Sequence, residues 1–161
     1  MASDKTQFYQ LVTKQLTSLL AGERYWVTNL SQFCALINTS LDDINWVGFY
    51  LNRNDDSLVL GPFQGNVACV EIPFGKGVCG TSAAEIKTLV VDDVDQFSGH
   101  IACDARSRSE IVVPLQSHQS LVGVLDIDSP SLHRFDGDDV MGLQRLVEIL
   151  VESTDWPQDL V

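Results

Sequence analysis

Four stretches rich in β-branched and aromatic residues, joined in pairs by short polar turns, constrain this chain more than anything else in it. Residues 44–51 and 57–64 flank Asn52-Arg53-Asn54-Asp55-Asp56, and residues 110–116 and 120–128 flank Ser117-His118-Gln119. Each pair reads as a β-hairpin, and hairpins impose antiparallel pairing. Shorter strands are predicted at 68–72, where Pro73 stops the run, and at 88–91. Upstream of the first hairpin the apolar period becomes helical. Phe8, Leu11, Val12, Leu16, Leu19 and Leu20 form one stripe, and Leu30, Phe33, Cys34 and Ile37 form another in a helix over 24–39. A brief helix runs through Ser82, Ala83, Ala84 and Glu85. The last helix begins near Asp136 and Asp138, acids that suit a helix N-terminus. It buries Val140, Leu143, Leu146, Val147, Leu150 and Val151. The expectation is an α+β fold, a mainly antiparallel sheet of about six strands with N- and C-terminal helices packed on it. At 161 residues, with no repeat, low-complexity tract or linker, the chain is expected to form a single domain.

Charge narrows the partners. Asp and Glu number 22 against 10 Lys and Arg, a net charge of −12. Nucleic acid and anionic membrane surfaces both demand surplus Lys and Arg, so neither is an expected partner. No run approaches the roughly 18 apolar residues of a membrane helix. Asp4, Lys5, Gln7, Gln10, Lys14 and Gln15 interrupt the N-terminal segment, so it lacks the apolar core of a signal peptide. A cytoplasmic location is expected, where thiols stay reduced. The four cysteines then speak against a static disulfide framework.

Candidate chemistry begins in residues 121–128. Alternation puts Leu121, Gly123, Leu125 and Ile127 on one face and Val122, Val124, Asp126 and Asp128 on the other. Two carboxylates therefore stand about 7 Å apart on an otherwise apolar face, at roughly 3.3 Å per residue. Such a pattern fits a strand end emerging into solvent, or a pocket wall that holds a cation or shares a proton. Glu110 joins them if the hairpin pairs in register. On residues 44–50, Trp46 and Tyr50 share a face with Gly48 between them. That is either ordinary core or a shallow hollow where something else can approach.

Gly75-Lys-Gly-Val-Cys-Gly80 matches G-x-G-x-x-G but lacks its context. A dinucleotide fold needs a firm parallel strand before it and a full crossover helix after it. A tight turn feeding a helix is the better account. Among the cysteines, Cys34 lies on a helical core stripe and reads as a small buried hydrophobe. Cys69, Cys79 and Cys103 have no zinc-site spacing, so no metal is expected. Cys79 sits near the start of a short helix, where free N–H groups favour a thiolate. Cys103 has His100, Arg106 and Arg108 nearby to lower its pKa, with Asp104 opposing them. A loop cysteine with basic neighbours fits a nucleophile.

Seven blocks in order carry a resemblance. They are Ile44-Asn-Trp-Val-Gly-Phe-Tyr50, Leu58-Val-Leu-Gly-Pro-Phe-Gln-Gly65, Ala68-Cys69, the glycine block 75–80, Gly99-His-Ile-Ala-Cys-Asp104, Ser109-Glu-Ile-Val112 and Gly123-Val-Leu-Asp-Ile-Asp-Ser129. From about Phe8 to Val151 the chain resembles the GAF domains, and among them the free methionine-(R)-sulfoxide reductase family. That resemblance implies a GAF-like fold and reduction of free L-methionine (R)-sulfoxide to methionine without a cofactor. It makes Cys103 the nucleophile and Cys69 and Cys79 its partner cysteines, without saying which resolves the sulfenic acid. Thioredoxin is the implied reductant and a homodimer the implied assembly. Glu110, Asp126 and Asp128 match the family's substrate-site carboxylates, with Glu110 and Asp128 expected near the sulfoxide oxygen and Asp126 nearer the ammonium. Trp46 and Tyr50 match residues that receive the substrate's methyl and sulfur end. A GAF sensor that binds a small molecule without turnover, or a thiol redox sensor, are the alternatives.

Overall fold

The computed structural model describes residues 3–101 and 103–160. Helices α1 (Asp4–Leu19) and α2 (Trp26–Ser40) lead into strands β1 (Trp46–Asn52), β2 (Ser57–Gly65) and β3 (Glu71–Pro73). Helix α3 (Gly77–Glu85) and strand β4 (Leu89–Val91) follow, then a 3₁₀ turn at Val94–Gln96. Strands β5 (Ser109–Ser117) and β6 (Ser120–Ser129) and helix α4 (Gly137–Glu152) complete the fold. The six strands form one sheet in the order β3-β2-β1-β6-β5-β4, every neighbouring pair antiparallel.

Both hairpins form as their sequences predict. The second turns on His118 and Gln119, both at positive φ, so a two-residue turn whose twist matches its strands replaces the expected three-residue one. The short third strand lies at Glu71–Pro73 rather than 68–72. Residues 66–70 instead form a loop, tied down where Tyr50 Oη donates to the carbonyl of Cys69 at 3.0 Å.

Alternation sorts the strand residues onto two faces. Val47, Phe49, Ile111, Val113, Leu125 and Ile127 meet α1, α2 and α4 in the larger core. Each such side chain contributes about 1.5–3 kcal/mol by leaving water, and Phe33 of α2 meets Phe49 of β1 edge-on at 5.4 Å. Trp46, Tyr50, Val112 and Val124 point the other way, into a smaller cluster with Val78, Cys79 and Ala83 of α3. One expectation fails here. Leu115 pairs with Gly123 and Gln116 with Leu121, leaving Val122 as a bulge. The extra residue flips the alternation, so Val122 packs on the helical side and Leu121 on the α3 side.

The buried line of α1 is Tyr9, Val12 and Leu16, continued by Leu20, while Leu11 and Leu19 are exposed. Tyr9 displaces the predicted leucines because it docks on α4. Its ring covers Gly142, where a Cβ would collide with it, and its hydroxyl donates to the buried Asp139 carboxylate at 2.7 Å. Asp136 and Asp139 close a capping box at the start of α4, and Lys5 reaches Asp139 at 2.6 Å.

Candidate active site

The pocket lies on the α3 face, over the centre of the sheet. Strand β6 runs between β1 and β5, so its two acids have neighbours fixed by register. Asp128 pairs with Trp46 on one side and Glu110 on the other, and Asp126 pairs with Gly48 and Val112. All three acids, Glu110, Asp126 and Asp128, line one cavity with Trp46, Tyr50, Cys79 and Cys103. Glu110 and Asp126 are each only 6% exposed, which disposes of a strand end emerging into solvent. Of the two readings of Gly48, ordinary packing holds, and the hollow is filled from within. Any Cβ there would strike Phe63 and the Trp46 ring, and Trp46 stacks between Tyr50 at 5.9 Å and Phe63 at 5.3 Å. Gly48 thus lets the indole lie flat and form the aromatic wall.

The glycine block makes the roof. Gly75 and Gly77 take positive φ, and a Cβ on Gly80 would collide with the Pro73 carbonyl. These glycines serve a turn and a close approach, and no crossover helix of dinucleotide type follows.

Burial dominates the electrostatics. It raises the pKa of Glu110 well above the carboxylate range, reinforced by the charges of Asp126 and Asp128. Asp128 is raised well above that range by burial and by Asp126. Asp126 is raised by burial, with the neighbouring Glu110, Cys79 and Asp128 groups pulling the other way. Three like groups in one low-dielectric pocket cannot all ionise, so protons are held among them. The expected thiolate at Cys79 is corrected here. Its thiol is buried and raised well above the ordinary value by burial and then by the charges of Asp126, Glu110 and Asp128. Desolvation and three acids outweigh the short helix's N–H groups. The Cys79 thiol instead donates to Glu110 Oε1 at 3.9 Å.

Cys69 and Cys103 are joined in a disulfide, their Cα atoms 5.5 Å apart. It ties the 66–70 loop to the segment before β5, beside the acids. Cys34 is buried in the larger core, its pKa pushed up to about 12 by burial. Two of the three basic neighbours expected to serve Cys103 are engaged elsewhere, and the third, Arg108, is exposed. Arg106 pairs with Asp104 at 3.0 Å and holds that carboxylate below its usual range. His100 turns to Glu110, Nε2 to Oε2 at 3.8 Å, and burial lowers its pKa.

Sequence reasoning missed one anchor. Asn45 Nδ2 donates to Ser107 Oγ at 3.1 Å and to Asp104 Oδ2 at 3.3 Å, pinning the Cys103 segment to the start of β1. Asn45 stands immediately before Trp46, but its partners lie some sixty residues on, where no local pattern reaches. With the disulfide formed, the cavity is about 40 Å³. That is far below the roughly 300–1,000 Å³ of ordinary small-molecule pockets. Among the described residues, Cys79, Glu110 and Asp126 place ligand-type atoms within 4.8 Å of one another.

A six-stranded antiparallel sheet, helices α1, α2 and α4 on one face, and a thiol-and-carboxylate pocket under α3 define a GAF domain. The GAF domain model matches residues 4–152. The free methionine-R-sulfoxide reductase of Escherichia coli (strain K12) is 49% identical over 156 residues, covering 95% of this chain and 94% of that protein. The X-ray structure of free methionine-R-sulfoxide reductase from Neisseria meningitidis in complex with its substrate is similar at a TM-score of 0.89 and 48% identity, covering 95% of this chain and 92% of that one. The reduced form of fRMsr of Staphylococcus aureus gives 0.87 at 53% identity, covering 90% and 94%. The chain belongs to the GAF family and, within it, to the free methionine-R-sulfoxide reductases.

Proposed function

We propose that this chain reduces free L-methionine (R)-sulfoxide to methionine by a thiol cycle centred on Cys103. The Cys103 thiolate attacks the sulfoxide sulfur, and the oxygen passes to Cys103 as a sulfenic acid while methionine departs. The Cys69 thiol then condenses with that sulfenic acid, forming the disulfide and releasing water. Thioredoxin returns both thiols by exchange. The observation that carries this reading is the Cys69–Cys103 disulfide at the rim of a pocket lined by Glu110, Asp126 and Asp128. It favours Cys69 over Cys79 as the resolving thiol, since Cys79 is buried, protonated and bonded to Glu110.

The acids have two tasks. Breaking the S–O bond needs a proton at oxygen, and a carboxyl whose affinity for its proton is raised by burial and by its acidic neighbours supplies it. Glu110 and Asp128, raised furthest, take that part, and Asp126 faces the substrate ammonium. Trp46 and Tyr50 receive the methyl and sulfur end. We further propose a single-domain homodimer in the cytoplasm, where thioredoxin is available.

The test supplies R and S diastereomers of free methionine sulfoxide separately, with dithiothreitol, and measures methionine. Turnover of R alone is expected. No turnover of R, or equal turnover of both, refutes the proposal.

A further inference from the structure

Once Cys69 takes the disulfide, the proposed cycle has no use for Cys79, yet this thiol sits at the centre of the acids. Its Sγ lies 3.9 Å from Glu110 Oε1, and with Asp126 the three ligand-type atoms fall within 4.8 Å of one another, all buried. Asp126 Oδ1 is buried and has no hydrogen-bond partner among the described residues. His100 Nε2 stands 3.8 Å from the other Glu110 oxygen. That ring nitrogen stands at the edge of the cluster as a further donor of the type zinc takes. Ligand atoms around a tetrahedral zinc stand roughly 3.3–3.6 Å apart, given Zn–S near 2.3 Å and Zn–O near 2.0 Å. Shifts of about an ångström close this cluster to that spacing. The cavity of about 40 Å³ is too small for an amino acid but holds an ion and one water.

We propose that the Cys79–Glu110–Asp126 corner binds a zinc-class divalent cation, which competes with the sulfoxide for the pocket. The competition rests on the function proposed above; the binding does not. Binding is an acid–base exchange with no change of oxidation state. Cys79 and the protonated carboxyls release their protons to solvent, and the thiolate and carboxylates coordinate the ion. A thiolate with an imidazole at its edge selects zinc or cadmium over magnesium or calcium, which take six or more oxygens.

The test titrates Cd²⁺ into the oxidised protein, whose Cys69–Cys103 disulfide leaves Cys34 and Cys79 as the free thiols. A thiolate-to-cadmium charge-transfer band that saturates at one equivalent is expected. It should vanish in Cys79→Ser and persist in Cys34→Ala. Asp126→Asn, which keeps every thiol, should weaken affinity by more than about tenfold. If Cys79→Ser fails to fold by circular dichroism, Asp126→Asn decides alone. Zn²⁺ added to the enzyme turning over with a phosphine reductant should raise KM for the sulfoxide and leave kcat unchanged. No band, a band surviving Cys79→Ser, unchanged affinity in Asp126→Asn, or a fall in kcat without a rise in KM overturns the proposal. A protein that binds cadmium through Cys79 but reduces neither diastereomer keeps the site and loses the reductase reading.

Discussion

Replacing Asp126 by Asn should make the fold more stable at pH 8 while removing the carboxylate proposed above to face the substrate ammonium. Glu110 and Asp126 place oxygen atoms within 4.8 Å of each other. Two full charges at that distance repel by roughly 3–4 kcal/mol at an effective dielectric constant near 20. The pair escapes most of that cost by holding protons, as the raised pKa values of Glu110, Asp126 and Asp128 state. Holding protons ties stability to pH. An acid raised in the folded state binds more protons there than when unfolded, so stability falls as pH climbs from the unfolded value near 4 through the folded one. Each extra proton held contributes about 1.4 kcal/mol per pH unit across that window. The amide of the Asp126→Asn variant has nothing to titrate and relieves the two neighbouring acids, so the variant's decline with pH should be shallower. Stabilisation of about 1–3 kcal/mol at pH 8, shrinking toward pH 5, is expected. Urea unfolding of the oxidised protein and the variant at pH 5, 6.5 and 8 measures it. A variant no more stable than its parent at pH 8, or an advantage constant across the series, would refute the argument.

The remaining predictions concern the cysteines and the α1–α4 joint. Cys103→Ser should abolish even a single turnover, whereas Cys69→Ser should release one equivalent of methionine without reductant and then stop. Cys79→Ser should still form the Cys69–Cys103 disulfide, detected by mass spectrometry of digested protein after one turnover; its absence would move the resolving role to Cys79. Tyr9→Phe removes the only hydroxyl that donates to Asp139 Oδ1 among the described residues. It should cost about 1–3 kcal/mol in chemical denaturation, the penalty for a buried acceptor losing its partner, and leave methionine formation unchanged.

The parts of the site that rest on alternation were legible in the sequence: Asp126 and Asp128 share a face because they are two apart. The register was not, since the two-residue turn alone would set Glu110 opposite Ile127, and the Val122 bulge moves it opposite Asp128. The misreadings came from non-local causes. A bulge at Val122 reverses the face of Leu121, and one-dimensional alternation carries no mark of it. Cys79 looked activated because a helix N-terminus is a local feature, whereas the acids that protonate it arrive from β5 and β6. Whether Gly48 was core or opening stayed undecided, because the sequence does not say that the Trp46 ring folds down over it.

The disulfide also joins two segments outside the sheet's central strands, before β3 at one edge and after β4 at the other, across 34 residues of sequence. Closing a ring of that size removes unfolded conformations worth about 4 kcal/mol in the chain-entropy account. On the proposed cycle, each turnover would pass the molecule between a looser and a sturdier form, whose unfolded fractions differ by between two and three orders of magnitude, on the order of a tenfold per 1.4 kcal/mol. Proteases that act on transiently opened chains find the spent, oxidised molecule the harder target. A cell whose reductant runs short would on these grounds keep its idle catalyst intact until thiols return.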